Sequence, residues 1–248
     1  MLNYFPKYFT NKAIALYIIA LVAVSVVYLQ FSMSWYIFLI GAVQVIGFFY
    51  TANYLTKKWS NLSSKTYTNK LFYNSLIIRI VWTVFSYFLY ISLTGIPFEY
   101  SAGDSLYYHS TAVSISQEGF SSLHSIFVDI GISDTGYSTY LSAIYMIFGS
   151  DNIIIPRLLK AVWGAWTAVL VYKIATRNFG ETTGKIAGIL TMLMPNLIFY
   201  CGLHLKEVEM LFLATAFIER TDLQLRSKKN KHYQCCNIYF IGSNYVYF

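Results

Sequence analysis

The sequence predicts an all-α fold: a polytopic transmembrane helix bundle of about six spans with a large outer loop that contains short interfacial helices. Hydrophobic residues make up 56% of the 248 residues and charged residues only 12%, whereas a soluble domain carries about 25% charged residues. Apolar runs of about 20 residues, the length needed to cross a bilayer, recur along the chain. This composition excludes a disordered chain, a coiled coil and an ordinary cytosolic domain.

Six apolar segments are the candidate spans. They cover residues 13–31, 35–55, 71–93, 153–175, 183–203 and 208–218. The first is interpreted as a signal anchor because the second follows too closely for a cleaved signal peptide. The sixth is short and spans only if its ends reach the interfaces. Arg79 lies inside the third span, and we expect it to snorkel to the nearer, cytoplasmic surface.

The distribution of charge orients these spans. Lys and Arg collect in four regions that six spans place on one side, at residues 7–12, 57–70, 173–185 and 220–231. The segment 94–151 carries acidic residues and neither Lys nor Arg. Because cytoplasmic loops are enriched in Lys and Arg, we predict a multi-pass integral membrane protein with a cytoplasmic N-terminus and residues 94–151 outside. The expected location is a bacterial plasma membrane.

Two short helices are predicted within this outer loop. Residues 136–149 are apolar but too short to span, which indicates an interfacial or re-entrant helix. Residues 104–117 follow Gly103 and carry Asp104 in their first turn, which is typical of a helix start.

The predicted organisation has three parts and no internal repeat. Residues 1–70 hold two spans and a basic loop, residues 71–220 form the membrane region that holds the candidate site residues, and residues 221–248 form a basic segment with a truncated or aberrant C-terminus. The change in composition after Lys231 leads us to expect a truncated or frameshifted product. Such a fragment could be inactive. The cysteines form neither a disulfide framework nor a zinc motif.

Two acidic residues are candidates for catalysis. Asp104 could accept a proton or bind a divalent cation, with His109 near the same helical face; alternatively, it is only a helix N-cap. Glu207 lies with His204, Lys206 and Glu209 at a membrane boundary, where ionisable side chains often mark a site. The alternative is an interfacial cluster exposed to water.

Two cations lie near the predicted outer end of the fourth span. Arg157 and Lys160 could bind a phosphate group through charge-assisted hydrogen bonds, or they could form ion pairs with Asp151 and its neighbours. Nearby tyrosines could stack on a sugar ring or simply anchor the chain at the interface. They are Tyr107, Tyr108, Tyr137 and Tyr140. No motif indicates a nucleic-acid partner.

An ordered set of segments resembles the GT-C glycosyltransferases, in particular their family 39 and ArnT-like group. Gly103-Asp104 with Tyr107, Tyr108 and Ala112 resembles the first acidic motif of that family. The matching segments that follow are Gly136-Tyr137 with Phe148-Gly149, Arg157-Leu-Leu, Ala175-Thr-Arg177-Asn-Phe-Gly180, Pro195-Asn-Leu and Leu203-His-Leu-Lys-Glu207. The resemblance covers about residues 71–220.

The resemblance implies an enzyme that moves a sugar from a polyprenyl-phosphate carrier to a lipid, glycan or protein acceptor at the outer face of the membrane. Asp104 would be the general base or a metal-linked carboxylate, with Mg²⁺ or Mn²⁺ as the expected cofactor, and Glu207 would support it. The expected substrate-binding residues are Tyr108, His109, Arg157, Lys160, His204 and Lys206. A transporter or flippase subunit, which should have broken helices, and a non-catalytic membrane partner are the alternatives.

Overall fold

The computed structural model describes residues 4–27, 35–99, 102–119, 121, 128 and 132–227, and the regular elements in these ranges are all helical. The α-helices are α1 (Lys7–Val27), α2 (Trp35–Trp59), α3 (Ser64–Thr94), α4 (Gly103–Glu118), α5 (Ile132–Phe148), α6 (Ile154–Phe179), α7 (Glu181–Leu193), α8 (Pro195–Phe199) and α9 (Glu207–Arg226). A 3-10 turn, Tyr200–Gly202, follows α8. The predicted all-α class is confirmed.

Three helices of the described chain are long and apolar enough to cross a membrane: α1, α3 and α6. A fourth span results if α7 and the segment Pro195–Gly202, bent by 49° relative to each other, are counted together. These helices are consistent with an integral membrane protein, but the six predicted spans are not confirmed. The sixth candidate is the 20-residue helix α9, which carries acidic residues at both ends.

Helix α3 shows how local sequence sets a boundary. The hydroxyl of Ser63 accepts a hydrogen bond from the backbone N–H of Thr66, which caps the helix. The other end is at Gly95, whose φ of 78° is the left-handed conformation that glycine adopts without strain. The helix therefore begins before residue 71, and the predicted domain boundaries at 70/71 and 220/221 both lie inside continuous helices.

Helix α6 lies at the centre of the bundle and packs against α3, α7 and α9. The core between α3, α6 and α7 contains Tyr67, Leu71, Tyr172 and Met192. Gly188 permits this close packing because an added Cβ would lie 2.9 Å from both Leu71 and Tyr67. Small residues at helix contacts are typical of membrane bundles, where backbones approach closely.

The predicted fifth span is interrupted at Pro195. Proline has no N–H and disfavours a helical conformation in the preceding residue, and Met194 is extended, with ψ at 116°. The Thr191 carbonyl, four residues before Pro195, accepts a hydrogen bond from Arg79 Nη2 at 3.3 Å instead. Arg79 also donates to the Met192 carbonyl at 3.2 Å and is fully buried. The expectation that Arg79 snorkels was therefore wrong.

Hydrogen bonds identify the two ends of the bundle. At one end the Ser64 and Tyr172 hydroxyls are 2.8 Å apart, and Lys185 Nζ donates to the Ser60 carbonyl at 2.9 Å. At the other end α4 and α5 pack together, and the Tyr137 hydroxyl donates to the Leu205 carbonyl at 3.1 Å. The two predicted loop helices, 104–117 and 136–149, correspond to α4 and α5. The lysines of the 228–231 segment, the 233–248 tail with Cys235 and Cys236, and Asp129 lie outside the described residues.

Candidate functional site

A buried polar cluster lies around the first turns of α6, where α4, α5 and the segment 203–206 converge. We call it the Arg157 cluster. It contains Phe98, His109, Tyr137, Tyr145, Arg157, Lys160, His204 and Glu209. Six segments supply these residues: the loop after α3, the helices α4, α5, α6 and α9, and the 203–206 segment. The cluster therefore exists only in the folded chain.

Arg157 has an unusual environment. Its side chain is fully buried, yet Nε, Nη1 and Nη2 all lack a hydrogen-bond partner. The guanidinium lies over the Phe98 ring, 5.8 Å from the ring centroid. The negative charge of Glu99 stabilises this guanidinium, but its hydrogen-bonding capacity is unused. A buried charge without hydrogen-bond partners is unfavourable, so this guanidinium is suited to receiving the oxygens of an anion. The predicted ion pair between Arg157 and Asp151 is absent from the described residues.

Lys160 differs from Arg157 because its ammonium group is fully engaged. It donates to the Leu203 carbonyl at 3.0 Å, to the Tyr137 hydroxyl at 3.2 Å and to the Leu205 carbonyl. Its nearest carboxylate is Glu209 Oε2, at 3.8 Å. These bonds use all three ammonium protons, so Lys160 holds the 203–205 segment in place.

A chain of hydrogen bonds connects two of the predicted residues. His109 Nδ1 is 2.9 Å from the Tyr145 hydroxyl, which is 3.2 Å from His204 Nε2. His204 is fully buried, and its Nδ1 has no partner. Burial lowers the pKa of His109 and lowers that of His204 much further; the charges of Lys160 and Arg157 add to the effect at His204. Both imidazoles are therefore neutral at pH 7.

The acidic candidates occupy different environments. Asp104 is exposed in the first turn of α4, where the N-cap residue is Ala102, so the N-cap alternative for Asp104 was wrong. Glu207 is exposed at the start of α9. Glu209 is the carboxylate that faces Lys160, and both its oxygens lack a hydrogen-bond partner. The two exposed acids are accessible to solvent, whereas Glu209 belongs to the buried cluster.

The expected Mg²⁺ or Mn²⁺ at Asp104 stays a prediction. Within the described ranges, His, Cys, Asp and Glu side chains form no group of three that could hold one. A divalent cation is normally held by several oxygen ligands, and Asp104 supplies a single carboxylate here. We therefore assign no step to the expected Mg²⁺ or Mn²⁺.

The other predicted contacts are aromatic. Tyr108 packs edge-on against Tyr137, with ring centroids 5.1 Å apart, and Lys206 Nζ lies 5.7 Å from the Tyr108 ring centroid. Tyr137 is fully buried, so it neither anchors the chain at an interface nor presents a face to a sugar. Tyr107 is exposed and remains available for stacking.

A groove with a volume of about 480 Å³ opens beside the cluster. It is lined by polar side chains from the ends of α4 and α5, including Ser116, Gln117, Ser150 and Asp151. Tyr145 also lines it, so the groove reaches the middle of the histidine–tyrosine chain. This geometry gives small polar molecules access to the cluster from outside.

The residues that the sequence analysis missed are Tyr145, Phe98 and the buried role of Glu209. A signal for Tyr145 was present, because Tyr137, Leu141 and Tyr145 recur at four-residue spacing on one face of α5 and all three are buried. No spacing within one helix could have paired Glu209 with Lys160, since the two lie on different helices.

No protein family, curated protein or solved structure matches this chain. Its function therefore has to be argued from its own geometry.

Proposed function

We propose that the chain is a membrane glycosyltransferase of the GT-C type, which takes a sugar from a polyprenyl-phosphate carrier and passes it to a lipid, glycan or protein acceptor. The observation that carries the proposal is Arg157, whose buried guanidinium has three nitrogens without partners. A carrier phosphate supplies charge-assisted acceptors for such a group. The ordered sequence resemblance over residues 71–220 supports the same class.

In this proposal the residues have distinct roles. Arg157 binds the phosphate that leaves with the carrier, and its positive charge stabilises the negative charge that develops as the sugar–phosphate bond breaks. Asp104, exposed at the start of α4, removes the proton from the acceptor hydroxyl. Lys160 positions the 203–205 segment, and Glu207 lies just beyond that segment on α9. Tyr108, His109, His204 and Lys206 shape the pocket in which the sugar lies.

The experiment is transfer of radiolabelled sugar from a panel of polyprenyl-phosphate donors, in membranes that contain the full chain. We expect Asp104→Asn to lower kcat by about 100-fold or more, since general bases contribute that much. Arg157→Gln should mainly raise the KM for the donor. Lys70→Gln, which removes an exposed cation from α3, is the matched control and should leave transfer unchanged. Wild-type membranes that use no donor, or an Asp104→Asn variant with full activity, would overturn the proposal.

A second candidate is a transporter or flippase subunit for lipid-linked sugars. The observation that favours it is the 49° bend between α7 and the segment Pro195–Gly202, because transporters build their substrate sites at broken helices. The sequence analysis gives broken helices as the feature that a transporter should have, so this bend strengthens the alternative. A fluorescent lipid-linked sugar that changes leaflet in vesicles, without transfer of its sugar, would favour transport over catalysis.

A further inference from the structure

A second site lies on the side of α6 that faces α9, away from the Arg157 cluster. A groove between these helices has a volume of about 690 Å³. Its apolar part is lined by aromatic and aliphatic side chains, among them Trp163, Trp166, Leu170, Phe212 and Leu213. Its other part is lined by Lys173, Arg177 and Arg220. The groove is therefore apolar in one part and basic in the other.

The two helices run parallel, which sets the direction of the groove. The Trp163 and Phe212 rings stack at 4.9 Å near its start, and Arg177 Nε is 2.8 Å from Asp222 Oδ2 near its end. The distance from Trp163 to Arg177 along α6 is about 21 Å at about 1.5 Å per residue. One leaflet contributes about 15 Å of hydrocarbon. The groove thus has the length of one acyl chain with its headgroup.

The basic end has unused capacity to bind an anion. Lys173 is exposed and has no ion-pair partner in the described chain. Arg177 uses Nε and Nη1 for Asp222 and Glu219, but its Nη2 is buried and has no hydrogen-bond partner. Arg220 is exposed, and its one ion pair within the described residues is a long contact of 3.7 Å to Glu219. Three cations face two carboxylates here, so a single added negative charge is complementary.

We propose that this groove binds one anionic phospholipid, with an acyl chain against Trp166, Leu170 and Leu213 and a phosphate held by Lys173, Arg177 and Arg220. Basic pockets between membrane helices bind anionic headgroups, and phosphate oxygens form charge-assisted bonds with Lys and Arg. Lys173 and Arg177 lie toward the opposite end of α6 from Arg157, so the phosphate site is separate from the proposed sugar transfer.

The test measures how many lipid molecules of each kind the protein retains. The full chain is equilibrated in micelles that contain equal amounts of phosphatidylglycerol and phosphatidylcholine, and retained lipid is measured by native mass spectrometry. We expect one retained phosphatidylglycerol, and we expect Lys173→Gln with Arg220→Gln to lower its retention about tenfold. Lys65→Gln with Lys70→Gln removes two exposed cations from the start of α3, at the same end of the bundle, and should change nothing. Equal retention of the two lipids, or equal loss in the two double variants, would overturn the proposal.

A second measurement identifies the occupant directly. Benzoylphenylalanine in place of Leu213 lies in the apolar part of the groove and should form a photo-adduct with lipid in native membranes. Ala216→Trp, which fills the groove without changing charge, should abolish the lipid adduct. A crosslink to another segment of this chain or to a second copy, in place of lipid, would show that protein covers the groove and would refute lipid binding. Thermal unfolding of each variant confirms that it is folded.

Discussion

At the residue scale, the two cations of the Arg157 cluster differ in their hydrogen bonds to the rest of the protein. Lys160 has three internal acceptors, whereas Arg157 has none. Transferring a charge from water into the protein interior costs several kcal/mol unless hydrogen-bond partners replace the lost hydration. Because no hydrogen-bond partner in the described chain does so and only the charge of Glu99 compensates, Arg157 gains from the binding of an anion. A binding role therefore falls to Arg157, and a positioning role to Lys160.

The buried histidines predict how stability depends on pH. Burial lowers the pKa of His204 well below its usual value, while in the unfolded chain the pKa is about 6.5. Below pH 6.5 the unfolded state binds the proton and the folded state does not, so stability falls as the pH is lowered and is constant above about pH 7.5. If His204 stays neutral, the loss at pH 5.5 is about 1.4 kcal/mol. The apparent Tm in detergent should then fall by about 3–6 °C between pH 7.5 and 5.5.

Two variants test whether His204 causes this pH dependence of stability. His204→Gln should remove most of the slope between pH 5.5 and 7.5. His109→Gln should remove less, since His109 is only partly buried and its pKa is lowered less. A His204→Gln variant that keeps the full wild-type slope would contradict the assignment.

The identity of the buried acid illustrates what the sequence could and could not predict. Glu207 and Glu209 are both visible in the sequence at the start of an apolar run, and the sequence analysis predicts a site at this position. Which of the two faces inward depends on how α9 rotates against α6, and the Lys160–Glu209 contact fixes that rotation. No local periodicity contains this information, because a short run with charges at both ends fits several rotations equally well.

At the element scale, the α7–α8 break is stabilised from another helix. Pro195 cannot donate to the Thr191 carbonyl, and Arg79 of α3 donates to it instead. The arginine side chain passes over Gly164 of α6, where an added Cβ would lie 2.6 Å from Arg79 Nε. Arg79 thus contacts two helices besides its own. The sequence analysis interpreted it as a snorkelling cation, but in the structure it donates to the end of the interrupted helix α7.

This arrangement predicts an energetic coupling between two distant residues. Arg79→Met leaves the Thr191 and Met192 carbonyls without their donor, which should cost about 2 kcal/mol and lower the apparent Tm by about 4–8 °C. Pro195→Ala restores an N–H for the Thr191 carbonyl. In that background, Arg79→Met should cost about 1 kcal/mol less, measured as a double-mutant cycle by thermal unfolding.

The control for this cycle is Lys70→Met, which removes an exposed cation of the same helix and should show no coupling to Pro195→Ala. Additive effects of Arg79→Met and Pro195→Ala would mean that the arginine does not replace the missing backbone donor.

Element positions were predicted better than element ends. The cap at Ser63 and the stop at Gly95 are readable signals, but the apolar pattern began only at residue 71, so the polar first turns of α3 were left out. Those turns are held by contacts with other helices, such as Ser64 with Tyr172 and Tyr67 with the Lys185 carbonyl. Tertiary contacts of this kind extend a helix beyond the part that hydropathy detects.

At the scale of the whole molecule, the bundle has two chemically different ends. Lys65 and Asn178 lie at the end where α3 begins and α6 finishes. The other end holds α4, the start of α9 and the Arg157 cluster. The N-terminal part of the described chain lies at the same end of the bundle as Lys65, because the backbone N–H of Phe5 donates to the Thr56 hydroxyl at 3.1 Å. This separation of charge is the pattern that the positive-inside rule produces.

We therefore predict that single cysteines report opposite sides of the membrane at the two ends. In a background with Cys201, Cys235 and Cys236 replaced, Ser110→Cys and Glu207→Cys should react with a membrane-impermeant maleimide in intact cells. Lys65→Cys and Asn178→Cys, exposed at the basic end, should react only after permeabilisation. Labelling of positions 110 and 207 from opposite sides would show that α4 and the start of α9 do not share one side of the membrane. That result would contradict a single outer site. Labelling of all four from outside would contradict a bundle that spans the membrane, and with it every role assigned to the Arg157 cluster at an outer surface.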